Sequence, residues 1–168
     1  LMVWRIRLAV FDGKTGTFAS LADSLHIDPA WEIAAELLRY RYWYARIKQD
    51  MAALQVWGPF ELAMYRGAVD AADSLVSAAP VDSAAGQLFS VHLVKAFLAR
   101  GDLARALRVA GTVDARHAPA EQAYYCAEVL AAQGEAQKAA SLLESLIVHH
   151  PHSIYASKAR VLLARVQT

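Results

Sequence analysis

The 168-residue chain has a single cysteine, Cys126, so no internal disulfide can hold it together and its stability has to come from packing. It also lacks any apolar run of the ~18 residues needed to cross a bilayer, so membrane insertion is not expected. The opening residues do not have the charged, apolar and small-residue layout of a signal peptide. Charge of one sign is not in excess either: 17 basic against 16 acidic residues leave a net charge of +1. Long-range attraction to nucleic acid or an anionic surface is therefore not expected. His26, His92 and His117 have no acid and nucleophile pattern around them from which a catalytic triad could be built. A soluble chain is expected, with the cytoplasm favoured and no cofactor required. Its Leu-Met start fits a piece of a longer protein or a tag remnant.

What the chain has in quantity is apolar surface. Hydrophobic residues make up 57%, including four Trp and seven Tyr, against ~45–50% in ordinary soluble domains. Much of the excess is Ala, which favours helix. The aromatic residues require either an aromatic-rich interior or an apolar surface covered by a partner, and that partner can be a second copy of the chain. At this length one domain of ordinary size is expected. Residues 51–86 carry one Arg against four acids, whereas 87–118 carry five basic residues against two acids. Solvated helix faces account for so mild a dipole.

Three stretches resemble one another: AMYRGAVDAADSLVSAA at 63–79, FLARGDLARALRVAGTV at 97–113 and LAAQGEAQKAASLLESL at 130–146. In each, a Gly (Gly67, Gly101, Gly134) precedes an Ala (Ala72, Ala106, Ala139) by five residues, and the copies are spaced by 33–34 residues. A fixed period of that length marks an array of helical hairpins. The Gly closes the first helix in a conformation that other residues adopt at a steric cost. The small Ala lets the second helix approach. Ala63, Phe97 and Leu130, four residues before each Gly, belong to the apolar face, as do Leu75, Val109 and Leu142 eight residues after it.

This pattern resembles the tetratricopeptide repeat (TPR), a helix-turn-helix unit with a turn Gly, a close-packing Ala and a terminal Pro. Gly134, Ala139 and Pro151 match its spacing, as do Gly101 and Ala106, with Pro119 one residue late. The pattern departs where Val56, Ser90 and Ala123 replace an early aromatic, and where Phe60, Val94 and Ala127 replace a small mid-helix residue. The match covers residues 53–168. The resemblance implies an all-α fold, a right-handed α-solenoid of TPR-like helical hairpins. Hairpins are expected at 59–80, 84–118 and 120–151, with a half-repeat at 153–167 as a C-terminal capping helix. The repeat domain spans 29–168, after an N-terminal segment at 1–28.

That N-terminal segment reads differently. Trp4, Ile6, Leu8 and Val10 alternate with Arg5 and Arg7, which predicts a small strand over 3–11 before the Asp12-Gly13 turn. GKTGT at 13–17 lacks the Gly that a phosphate loop needs five residues before Gly13, where Leu8 stands, so it reads as a plain loop. A short helix is expected over 18–25, and Asp28-Pro29 then reads as the cap and first turn of a helix over 30–54. The seam of that helix is Ile33, Leu37, Tyr40, Tyr44, Ile47, Met51 and Leu54. RYRYWYAR within it offers Arg and aromatic groups, but no broad basic patch, so nucleic acid binding is not expected.

The resemblance places partner binding in a concave groove lined by the first helices of successive hairpins. Offsets from the turn Gly give three columns: Trp57, Val91 and Tyr124; Glu61, Lys95 and Glu128; Met64, Leu98 and Ala131. A charged column between apolar ones suits a partner's amphipathic helix or extended peptide. Two other readings stay open: the three charges pair with one another between repeats, and the N-terminal segment covers the apolar columns. His149, His150 and His152 cluster at a predicted helix end, where the terminal carbonyls favour His, and no metal site is expected. Glu32 and Glu36 read as solvent-facing helix-start charge, and Cys126 as a buried small apolar residue. A non-enzymatic interaction scaffold is the function expected. The alternative is a regulatory, sensory or oligomerisation module of a larger protein, such as a DNA-binding transcriptional regulator.

Overall fold

The computed structural model describes residues 2–24, 34–79, 83–111 and 114–167. Among the described residues there are ten helices and no strand. They are α1 (Met2–Phe11), α2 (Thr15–Ser24), α3 (Ala34–Ile47), α4 (Met51–Tyr65), α5 (Val69–Ala78), α6 (Ser83–Ala99), α7 (Leu103–Ala110), α8 (Ala120–Ala132), α9 (Ala136–His149) and α10 (Ile154–Val166). No helix among them is long and apolar enough to cross a membrane. The chain divides into two compact units, Leu1–Phe89 and Ser90–Thr168, with α6 contributing to each.

In the first unit, α1 packs on α2 and α4, and α4 packs on α3 and α5. The strand expected over 3–11 is not there: those residues belong to α1. Ile6, Ala9 and Val10 are buried at helical spacing, whereas Leu8 is exposed. A helix also satisfies its own backbone, which a lone strand cannot do.

Gly58 sets how closely α4 approaches α1. A Cβ there would lie 2.4 Å from the carbonyl oxygen of Val10 and 3.0 Å from that of Phe11, so only Gly fits. The first hairpin was expected over 59–80, but Pro59, like Gly58, lies inside α4, which begins at Met51. Asp50 starts that helix by accepting a hydrogen bond from the Ala53 N–H at 2.9 Å. The same cap breaks the long helix expected over 30–54, and leaves Met51 exposed instead of in a seam. Leu37, Tyr40 and Ile47 of that seam are buried, and Trp43, which it omitted, is buried with them. Ile33, Asp28 and Pro29 lie outside the described residues.

The interior of this unit is aromatic. Phe18 meets Trp57 edge-on at 5.2 Å, Trp43 stacks on Phe60 at 5.9 Å, and Phe60 and Phe89 lie 4.9 Å apart. Such pairs add to the value of the area they bury.

In the second unit, α8 packs on α7 and α9, and α10 on α8 and α9. Its core holds Tyr124, Ala127, Leu143, Leu146, Ala156, Ala159 and Leu162. Short side chains from α8 and α10 let those helices lie close together, with Leu143 and Leu146 of α9 filling the space between.

Three turns share one geometry. Gly67, Gly101 and Gly134 have φ of +71°, +71° and +81°, in the left-handed region. At each turn the Gly N–H donates to the carbonyl three residues back: Met64, Leu98 or Ala131. The next residue (Ala68, Asp102 or Glu135) donates to Ala63, Phe97 or Leu130. This double closure satisfies the carbonyls a helix end leaves open. Ala72, Ala106 and Ala139, five residues after each Gly, are fully enclosed at 0% exposure.

Candidate functional site

The eight residues expected to line a binding groove fall in both units. In the first unit Trp57 and Glu61 are buried, at 1% and 3% exposure, and Met64 is half-buried. Trp57 is enclosed by Phe18, Tyr40 and Tyr44. Glu61 accepts two hydrogen bonds from the Arg39 guanidinium, at 2.6 and 3.0 Å. Both residues are therefore occupied inside the unit, which corrects their expected place on a binding surface. The reason is a partner that an offset from a turn Gly cannot show: Arg39 of α3 reaches in to Glu61, while Arg41 and Arg46 of the same helix stay exposed.

A second polar group ties α1 to α3. Arg7 Nε donates to Glu36 Oε1 at 2.8 Å, its Nη2 donates to Oε2, and the Tyr40 hydroxyl donates to Oε1 at 2.7 Å. Glu36 was expected to face solvent, but Arg7 holds its carboxyl below the ordinary range, against the opposing effect of burial. Glu32 lies outside the described residues.

In the second unit Val91, Lys95 and Leu98 stand on α6, and Tyr124 and Glu128 on α8. Val91 and Tyr124 are buried, whereas Lys95, Leu98 and Glu128 are half-buried. Lys95 does not pair with Glu128. It pairs with Glu121 of α8 at 3.5 Å and lies 5.0 Å from the centre of the Tyr125 ring.

Tyr125 belongs to a trio in which Tyr124 lies 5.2 Å from Tyr125 and 5.7 Å from Tyr155 of α10. Burial, then the neighbouring Glu121 carboxylate, pushes the Tyr155 phenol above its ordinary range, so it stays a neutral donor. Tyr155 escapes the offset count because α10 has no turn Gly after it, and Glu121 and Tyr125 of α8 fall outside the three columns counted from Gly134.

Burial raises Glu128, and the more distant Arg165 and Lys158 only partly oppose that. Among the described residues no hydrogen bond or ion pair engages its carboxylate. The face thus combines a paired lysine, the half-buried rings of Tyr125 and Tyr155 packed on the buried Tyr124, and a half-buried acid, a set that can hold a chain segment through apolar, cation–π and ionic contacts.

The opposite side of α8 borders a cleft of about 780 Å³ between α7, α8 and α9, lined by Leu107, Leu130, Leu142, Ser141 and Cys126. Burial pushes the Cys126 thiol up, and its Sγ lies 3.6 Å from the Gly111 carbonyl, so it is a packed thiol without thiolate character. His150, from the histidine cluster, bonds through Nε2 to the Ala115 carbonyl at 2.8 Å and secures the end of α9. Among the described residues no group of three metal-ligating side chains comes together.

Comparisons with protein-family models, with curated proteins and with solved structures give no match.

Proposed function

We propose that the chain is a non-catalytic interaction scaffold of tetratricopeptide-like hairpins. The face carrying Lys95, Leu98, Tyr125, Tyr155 and Glu128 holds a peptide or helix of a partner protein. The observation that supports this most directly is the position of Lys95 between Glu121 and the Tyr125 ring, beside a packed tyrosine trio. Rings and charges held in place before binding lose little freedom when a partner arrives. Glu128 supplies a carboxylate for a basic side chain of that partner, and Leu98 supplies apolar contact.

The test compares capture of partners by the native chain with capture by Lys95→Glu/Glu128→Lys, once circular dichroism shows equal helicity. The captured segment is then titrated directly against both proteins. Selective loss by the variant supports the reading, and equal binding removes it.

A second reading, an oligomerisation or regulatory module of a larger protein, is favoured by Leu38 and Tyr42. They stand four residues apart on α3 and are 50% and 52% exposed. Sedimentation of the native chain against Leu38→Glu tests it: a dimer that Leu38→Glu dissociates would support self-association.

A further inference from the structure

α10 has a buried face and an exposed one. Ala156, Ala159 and Leu162 sit in the core of the second unit. On the far side Ile154 and Val161, seven residues apart, are 69% and 61% exposed. Ser157 and Ala164 are exposed on the same side, so the four positions follow one another in steps of three and four. That is the spacing of a seam between two packed helices. Branched Ile and Val alternate along it with small Ser and Ala, which leaves room for a second helix to come close.

The charges beside the seam all have one sign. Lys158 and Arg165 flank it on one side and Arg160 on the other, all three are exposed, and α10 contains no acid. Lys158 stands over the Tyr155 ring at 5.2 Å, and Glu128 of α8 lies near both Lys158 and Arg165. Arg160 makes no ion pair among the described residues.

We infer that this face docks an acidic amphipathic helix of a partner protein. The partner's apolar residues lie along Ile154 and Val161, and its carboxylates meet Lys158 and Arg160. Flanking charges of this kind choose the partner in helix pairing. A second copy of the chain fits less well, because two such faces would set cation against cation along the seam. This face borders the Lys95 and Tyr125 site, since Lys158 lies over the Tyr155 ring and near Glu128, but its apolar contacts at Ile154 and Val161 do not depend on that site.

The experiment uses two labelled three-heptad peptides with Leu along the seam, one with Glu at the flanking positions and one with Lys. Each is titrated against the full chain by fluorescence anisotropy. The Glu peptide binds, the Lys peptide does not, and added salt weakens the complex. Arg160→Glu weakens it about threefold, and Ile154→Ser/Val161→Ser weakens it more than about tenfold. Both sites are exposed, so circular dichroism should show the fold unchanged. Equal binding of the two peptides, binding of neither, or indifference to Ile154→Ser/Val161→Ser overturns the inference. A dimer of the native chain that this double variant dissociates would overturn it too, by assigning the face to a second copy.

Discussion

Arg39 of α3 and Glu61 of α4 form a two-pronged ion pair, with Nη1–Oε1 at 2.6 Å and Nη2–Oε2 at 3.0 Å. The glutamate is 3% exposed. Burial pushes its carboxyl up while Arg39 pulls it down, so the pair holds a charge the interior would otherwise reject.

Removing one partner should therefore cost far more than removing both. Arg39→Ala strands Glu61 and is expected to destabilise the chain by about 3 kcal/mol. Arg39→Met/Glu61→Leu is expected to recover most of that loss. Urea unfolding of the single and double variants measures the difference.

Gly58→Ala is expected to cost about 2 kcal/mol, because its Cβ would meet backbone at Val10 and not a flexible side chain. Hydrogen exchange should show faster opening of α1 in particular, while α9 and α10 exchange as before.

Acid should weaken the bond between α1 and α3. In the folded chain Glu36 lies below its ordinary carboxyl value of 4.5, so its contribution is fully present above that value and is lost as pH falls through the folded value. The free energy of unfolding should thus decline as pH drops below about 4.5, and less steeply in Glu36→Gln. Urea midpoints measured from pH 6 to pH 3 give both slopes. An identical slope in the variant would assign the acid sensitivity to other groups.

The turn glycines carry a backbone cost that substitution can read. Gly101→Ala and Gly134→Ala force a left-handed backbone on a residue with a Cβ and should each cost about 1 kcal/mol. The space around both is open, so the cost comes from the backbone alone. Gly134→Asn should lose less, because Asn tolerates that region better. Thermal unfolding of the three variants tests the order.

The repeat positions were legible because their physics is local. A glycine with positive φ and an enclosed alanine five residues later need no knowledge of distant chain, and Gly67, Gly101 and Gly134 all have that geometry. The N-terminal part was less so. Alternation of Trp4, Ile6, Leu8 and Val10 over so short a stretch imitates a strand, and α1 is decided by its packing on α4. Asp50 was hidden by an apolar periodicity that ran on through it. Glu61 looked like a groove residue because Arg39, 22 residues earlier, left no trace in the local pattern. Lys95 and Glu128 stand on the expected helices, but their neighbours Glu121, Tyr125 and Tyr155 come from packing between helices.

The three glycine turns also bear on how quickly the chain finds its fold. Each is closed by hydrogen bonds spanning at most five residues, as in Asp102 to Phe97 and Glu135 to Leu130. Little chain entropy is lost before those bonds form, so each turn can close early, before contacts between distant helices are made. The α8 and α9 pair, joined by the Gly134 turn, should be among the first structure to resist exchange after dilution from denaturant. The contact between Gly58 and Val10 spans 48 residues and should be acquired later.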